Sequence, residues 1–338
     1  MMKQWGGVFV LILIVILPFN IFSEGHAREK KKMMIARLAD TLSPDHPHTR
    51  TWTYFADKVR EKTKGRIEIQ VYHSGQLGRT KEIYLGIQSG TIEMAKLPTS
   101  FTGEWIPEGD LFDLPYLFQS REGLWRALQG PLGKNFFGQV YPRHNLVGVM
   151  WTDDGAGSIY TVNRPVRKPE DLAGLKIWVP PGAVHIQSIH EMGGIAATTA
   201  LGEVYPALQQ KVLDGGENSP VLFWTLKHWE VCKVYSLTEH FWVISPLLVN
   251  KKWWDGLPRD IQDEIGEAAR EAERYFLKIY PGEENKAAIW VKNKGVQVIT
   301  DVDKSAFEKR MQPVYDSFVK KYAFGQELLD RVTAAKNK

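Results

Sequence analysis

The stretch LGEVYPALQQKVLDGGENSP, residues 201–220, decides how this chain is read. Glu203 stands at the start of a short helix, where the positive end of the helix dipole favours an acid. Val204, Ala207 and Leu208 recur at i, i+3 and i+4, so they share one face. The helix gives way to Val212-Leu213 and then to Asp214-Gly215-Gly216, which reads as a tight turn with room for something to approach. Glu217 and Asn218 follow at once. An acid and an amide just past such a turn suit the rim of a binding site. They equally suit an ordinary junction between helix and strand.

Outward from this stretch, strand and helix patterns alternate. Residues 33–38 read as a strand, and 49–62 as a helix with Trp52, Phe55, Ala56 and Val59 on one face. In 66–72, Ile67, Ile69 and Val71 alternate as an inward strand face. A helix over 81–88 and a strand over 91–97 complete the pattern of a parallel or mixed α/β sheet. An aromatic loop region, 98–115, carries Phe101, Trp105 and Phe112. After a strand at 146–151, residues 152–157 (TDDGAG) break the pattern and make a candidate hinge. A second α/β unit follows, with a strand at 175–180, a helix at 184–192, a helix at 220–230 and strand material in 235–249. A helix over 260–280 would run about 30 Å, enough to bridge two lobes. Two terminal helices, 304–322 and 326–335, end the chain.

Composition narrows the function classes. A chain of 338 residues, 43% hydrophobic and 12% aromatic, holds a sizeable core and fits two domains better than one. The net charge of +4 comes partly from the run 28–32. The body is therefore near balance, which argues against nucleic acid as a partner. Twelve tryptophans are many for this length, and any not needed for the core would suit a pocket. Lys3, the apolar run 8–17 and Gly25-His26-Ala27 match a secretory signal peptide over 1–27. That run falls short of the ~20 residues that span a bilayer. The mature chain is thus expected to be exported to the periplasm and not membrane-embedded. Cys232, the single cysteine, allows neither an internal disulfide nor a cysteine-rich metal site.

Enzyme motifs are weak throughout. Gly155-Ala156-Gly157 begins a G-x-G, but Tyr160 stands where the third glycine belongs. Ser317 and Lys320 have S-x-x-K spacing inside an amphipathic helix. His190-Glu191 lacks a second histidine one turn on. His46-Pro47-His48 reads as a surface loop before a metal site. No catalytic residue, metal or cofactor is expected. Two α/β lobes, a hinge and an aromatic cleft instead describe a binding protein that closes on its ligand.

Several blocks then carry a resemblance. They are Gly75-Gln76-Leu77-Gly78, Ile87-Gln88-Ser89-Gly90-Thr91-Ile92-Glu93-Met94, Pro169-Glu170-Asp171-Leu172-Ala173-Gly174-Leu175-Lys176-Ile177, Glu203-Val204-Tyr205-Pro206-Ala207-Leu208-Gln209-Gln210 and Asp214-Gly215-Gly216-Glu217-Asn218. In this order and spacing the chain resembles the DctP-type solute-binding proteins of tripartite ATP-independent periplasmic (TRAP) transporters. The resemblance implies an α/β, two-lobed periplasmic binding protein fold with a hinge and a long helix bridging both lobes. Lobe I would comprise 33–154 and 246–283, and lobe II 155–245 and 284–338. It implies capture of a small organic solute and delivery to a membrane permease, without enzymatic turnover. A sensor is the alternative partner.

The chain departs from the family pattern at Trp178, where the family's strand carries an arginine that holds a ligand carboxylate. An indole offers one N–H and no charge. A simple carboxylate is therefore not the expected solute. An amine held by cation–π attraction beside Asp153, Asp154 or Glu217, or a neutral or aromatic solute, is favoured. An organic acid held by backbone N–H groups, Asn218 or another basic residue is the alternative. Leu201, Trp151, Phe101 and Thr41 complete the expected contacts.

Overall fold

The computed structural model describes residues 1–2 and 33–336; the signal-peptide reading otherwise lies outside the described residues. Eleven strands are described: β1 (Met34–Ala39), β2 (Ile67–Tyr72), β3 (Met94–Lys96), β4 (Leu146–Met150), β5 (Asp153–Thr161), β6 (Lys176–Trp178), β7 (Ile195–Ala197), β8 (Gly215–Asn218), β9 (Val234–Ile244), β10 (Leu247–Asn250) and β11 (Gln297–Ile299). They form two sheets, ordered β2-β1-β3-β10-β4 and β11-β9-β5-β8-β6-β7. The first sheet pairs β1 with β2 and β3 in parallel and takes β10 antiparallel. In the second, β5 lies antiparallel between β8 and β9.

Besides the helical connection from β10 to β11, the chain crosses between sheets by two short links, from β4 to β5 and from β9 to β10. The two crossings are stitched together: the Ser245 amide donates to the Thr152 carbonyl at 2.8 Å, and the Thr152 hydroxyl donates to the Ser245 carbonyl. The pattern break expected at 152–157 is instead the start of β5, with register shifts between Asp153 and Ala156 and between Gly157 and Ile159. Bulges of this kind bend a strand without ending it. Gly155 has φ +86°, and a Cβ there would lie 2.2 Å from Glu284 Oε1. A side chain would therefore meet both strain and a clash.

Two other expectations are corrected. The helix expected at 260–280 runs over Arg259–Asn293 and contains Pro281, about 50 Å at 1.5 Å per residue. Proline removes one helical N–H, but Tyr280, Ala287 and Val291 are buried on either side and hold the helix across the gap. It packs on the helix Pro47–Lys62 beside the first sheet and on the helix Pro220–Thr225 beside the second. In the opening stretch, Leu201–Glu203 and Val204–Gln209 are short helical turns, with Val204 and Leu208 buried as expected. Gly215 and Gly216 do not turn the chain; they lie in β8. A Cβ on Gly215 would meet the Tyr160 carbonyl at 2.1 Å, and one on Gly216 the Tyr160 hydroxyl at 2.5 Å. The glycines admit a tyrosine.

Candidate functional site

Loops from both sheets enclose a cavity of about 660 Å³. Thr41, Arg79, Phe101 and Trp105 line it from the side of the first sheet. Gly182, Thr199, Leu201, Glu203 and Leu226 line it from the side of the second. Phe101, Trp105, Leu201 and Leu226 are half-buried, so they present apolar surface to the space. Trp105 stacks on Tyr84, with ring centroids 4.4 Å apart at 14°, which holds the indole flat. Lys81, Glu82 and Glu104 on the wall are exposed.

Among the sequence-expected site residues, Thr41, Phe101 and Leu201 reach this wall. The other six do not. Trp178 is 1% exposed and belongs to the core beneath the wall. Its indole N–H donates to the Thr199 carbonyl at 3.1 Å, and its ring lies 6.4 Å from that of Phe101. It backs the cavity and offers no open face. Trp151 is buried and stacked on Phe137 at 4.5 Å. Asn218 is buried opposite Ser158 in the β5–β8 ladder, with Nδ2 unbonded to any group among the described residues.

The three carboxylates expected to face an amine are buried and already matched. Asp153 accepts from Arg121 at 2.9 Å and from the Trp125 indole at 2.7 Å. Asp154 accepts from Lys96 at 3.1 Å and from the Ser245 hydroxyl. Glu217 binds His185 at 2.6 Å and His240 at 2.9 Å. A buried carboxylate demands partners of its own, and here the fold supplies them. His46 and His48, expected on a surface loop, are also fully buried. His46 Nδ1 accepts from the His48 amide at the start of the helix Pro47–Lys62. Burial pushes both histidines below their ordinary value, so at neutral pH Lys96 is the cation facing Asp154.

His185 behaves oppositely. Burial alone would lower its pKa, but Glu217, and Asp113 at 3.7 Å, outweigh this and raise it to about 10. Burial likewise opposes ionisation of Glu217, yet His185 and His240 hold it below the usual carboxylate range. A group whose folded pKa is raised stabilises the fold fully below its unfolded value and loses that contribution as pH climbs through the folded value. The stability gap between the parent and His185→Gln is therefore expected to narrow as pH rises from about 6.5 to about 10. Urea titrations across that range measure it, and a gap independent of pH would count against a charged His185.

Sequence reasoning missed Arg79, Thr199, Trp105 and Leu226. Trp105 stood in the noted aromatic loop without a reason to prefer it. Glu203 was read only as an acid at a helix start; it also pairs with Arg79 at 2.5 Å, 124 residues away. No local pattern encodes that contact.

A model of the family described as bacterial extracellular solute-binding protein, family 7 (DctP), matches residues 38–321. The chain belongs to this family. A solute-binding protein of Chromohalobacter salexigens is 33% identical over 294 residues, 87% of each chain. The crystal structure of a TRAP periplasmic solute-binding protein from the same species, with bound D-glucuronate, is similar at a TM-score of 0.86 and 33% identity, covering 89% of this chain and 99% of that one. One from Sulfitobacter, with bound β-D-galacturonate, has a TM-score of 0.86 at 28% identity, covering 90% and 100%. The family comprises the binding proteins of transporters, which are periplasmic, work with membrane permeases and are not enzymes. Among the described residues no helix is long and apolar enough to cross a membrane.

Proposed function

We propose that this chain captures a neutral or aromatic small solute in the cleft and hands it to a TRAP permease. The observation that carries this reading is Trp178. By the family resemblance it stands where an arginine for a ligand carboxylate is expected, and its one donor is already bonded to Thr199. The half-buried faces of Phe101, Trp105, Leu201 and Leu226 suit a flat or apolar body, with stacking on the indole face. The amine reading loses its support from Asp153, Asp154 and Glu217, because each is neutralised by protein partners. Asn218, buried in the β5–β8 ladder and away from the cavity wall, loses its support as a direct solute contact.

In this reading 33–154 with 246–283 form one lobe, and 155–245 with 284–338 the other. The division of strands between two sheets supports it. The helix Gly325–Lys336 nevertheless packs on Arg121–Gln129 and Pro131–Asn135 of the first lobe.

A second reading, capture of an organic acid, is favoured by the two similar structures that hold uronates and by Arg79 and Lys81 on the wall. Calorimetric titration with D-glucuronate, indole and tryptamine separates the readings. Micromolar binding of indole with no heat from glucuronate is expected; tight glucuronate binding alone would overturn the first reading. Loss of solute uptake in cells lacking the chain would favour a permease over a sensor as its partner.

A further inference from the structure

We infer that Arg79 and Glu203 form a clasp across the mouth of the cleft that biases the protein toward its closed state, an inference that rests on the cleft being the solute site. Arg79 ends the loop between β2 of the first sheet and the helix Thr80–Ser89. Glu203 ends the helical turn Leu201–Glu203 that follows β7 of the second sheet. Both line the cavity, and the guanidinium meets the carboxylate at 2.5 Å. Opening the cleft must part them.

Each end of the clasp is held before the pair forms. The Arg79 amide donates to Glu82 Oε2 at 2.9 Å, which fixes the loop on its own helix. The Thr199 hydroxyl donates to Glu203 Oε2 at 2.7 Å, leaving Oε1 for Arg79. The Thr199 carbonyl in turn accepts the Trp178 indole N–H. One chain of hydrogen bonds therefore runs from the buried indole, through the wall, to the pair at the rim. Preordered partners lose less side-chain entropy on pairing. The exposed pairs Lys251–Asp255 and Arg331–Glu327, by contrast, span single helical turns and move as one body.

An exposed pair is modest in strength and sensitive to salt, so the clasp tunes closure without locking it. Glu203 also keeps Arg79 occupied, so an anionic solute reaching the guanidinium would have to displace an internal carboxylate.

The test needs no solute. Spin labels placed by Leu85→Cys and Val212→Cys occupy exposed positions on the two sides, and the native Cys232 is buried. Pulsed electron resonance on the full chain then reads the distance distribution. Glu203→Gln or Arg79→Gln is expected to reduce the short-distance population about two- to fivefold relative to the long one, and molar salt to do the same to the parent. The charge-swapped double variant, Arg79→Glu with Glu203→Arg, is expected to restore the short population. Single variants indistinguishable from the parent, or a swap that restores nothing, would overturn the clasp. Because no solute is added, neither result depends on which solute the cleft takes.

Discussion

Trp178→Ala is expected to destabilise the protein by about 3–5 kcal/mol, the range for emptying a large aromatic site in a packed core. Trp178 is 1% exposed and sits among Tyr160, Val204, Leu208 and Phe223. Its removal also strips the donor from the Thr199 carbonyl and the backing from Phe101. Urea unfolding measures the stability, and titration with indole the binding. A loss below about 1 kcal/mol, typical of surface sites, would mean that the indole is not packed as described. The same cavity makes Trp178→Arg informative. If a guanidinium there faces the cleft, D-glucuronate affinity should rise while stability falls, because the charge needs a ligand carboxylate to match it.

Lys96→Met is the second change with a large expected effect. It leaves Asp154 buried without its cation, and breaking such a pair from one side costs about 3–5 kcal/mol. Adding Asp154→Asn should recover much of that loss, since removing both charges also removes the desolvation penalty. A double variant no more stable than Lys96→Met would contradict the pairing. The pair also sets an acid limit. Burial opposes ionisation of Asp154, but His48, Lys96 and His46, the histidines once protonated in acid, together with the Ser245 hydroxyl hold its pKa at about 2. A depressed carboxylate stabilises the fold above its unfolded value near 4 and loses that contribution as pH falls through the folded value. The parent should thus lose on the order of 2 kcal/mol from this group between pH ~4 and ~2. In Lys96→Met that part of the acid slope should flatten. Asp154 lies at the crossing from β4 to β5, beside Ser245 at the return crossing, so the loss falls on the segment joining the two sheets.

Much of the architecture was legible in the sequence because its signals are local. The alternation in β2, the apolar face of Pro47–Lys62 and the buried Val204 and Leu208 follow from periods of 2 and 3.6 residues. Errors came where local and tertiary effects disagree. Gly215-Gly216 looks like a turn to any local reading, yet the glycines serve the close approach of Tyr160. Pro281 looks like a helix end, yet buried residues on both sides carry the helix through it.

The class of protein was legible along one chain, in alternating α/β units and family blocks that recur in order. All of these are properties of residue type and spacing along one chain. What the site residues face was set by the packing of distant segments. It turned Asp153, Asp154 and Glu217 inward onto Arg121, Lys96 and His185, because buried charges must be paired and the partners lie 32 to 58 residues away. It placed Trp178 behind the wall and brought Arg79 against Glu203 across the cleft. Spacing encodes which residues share a face; what lies opposite that face is set only when distant segments pack.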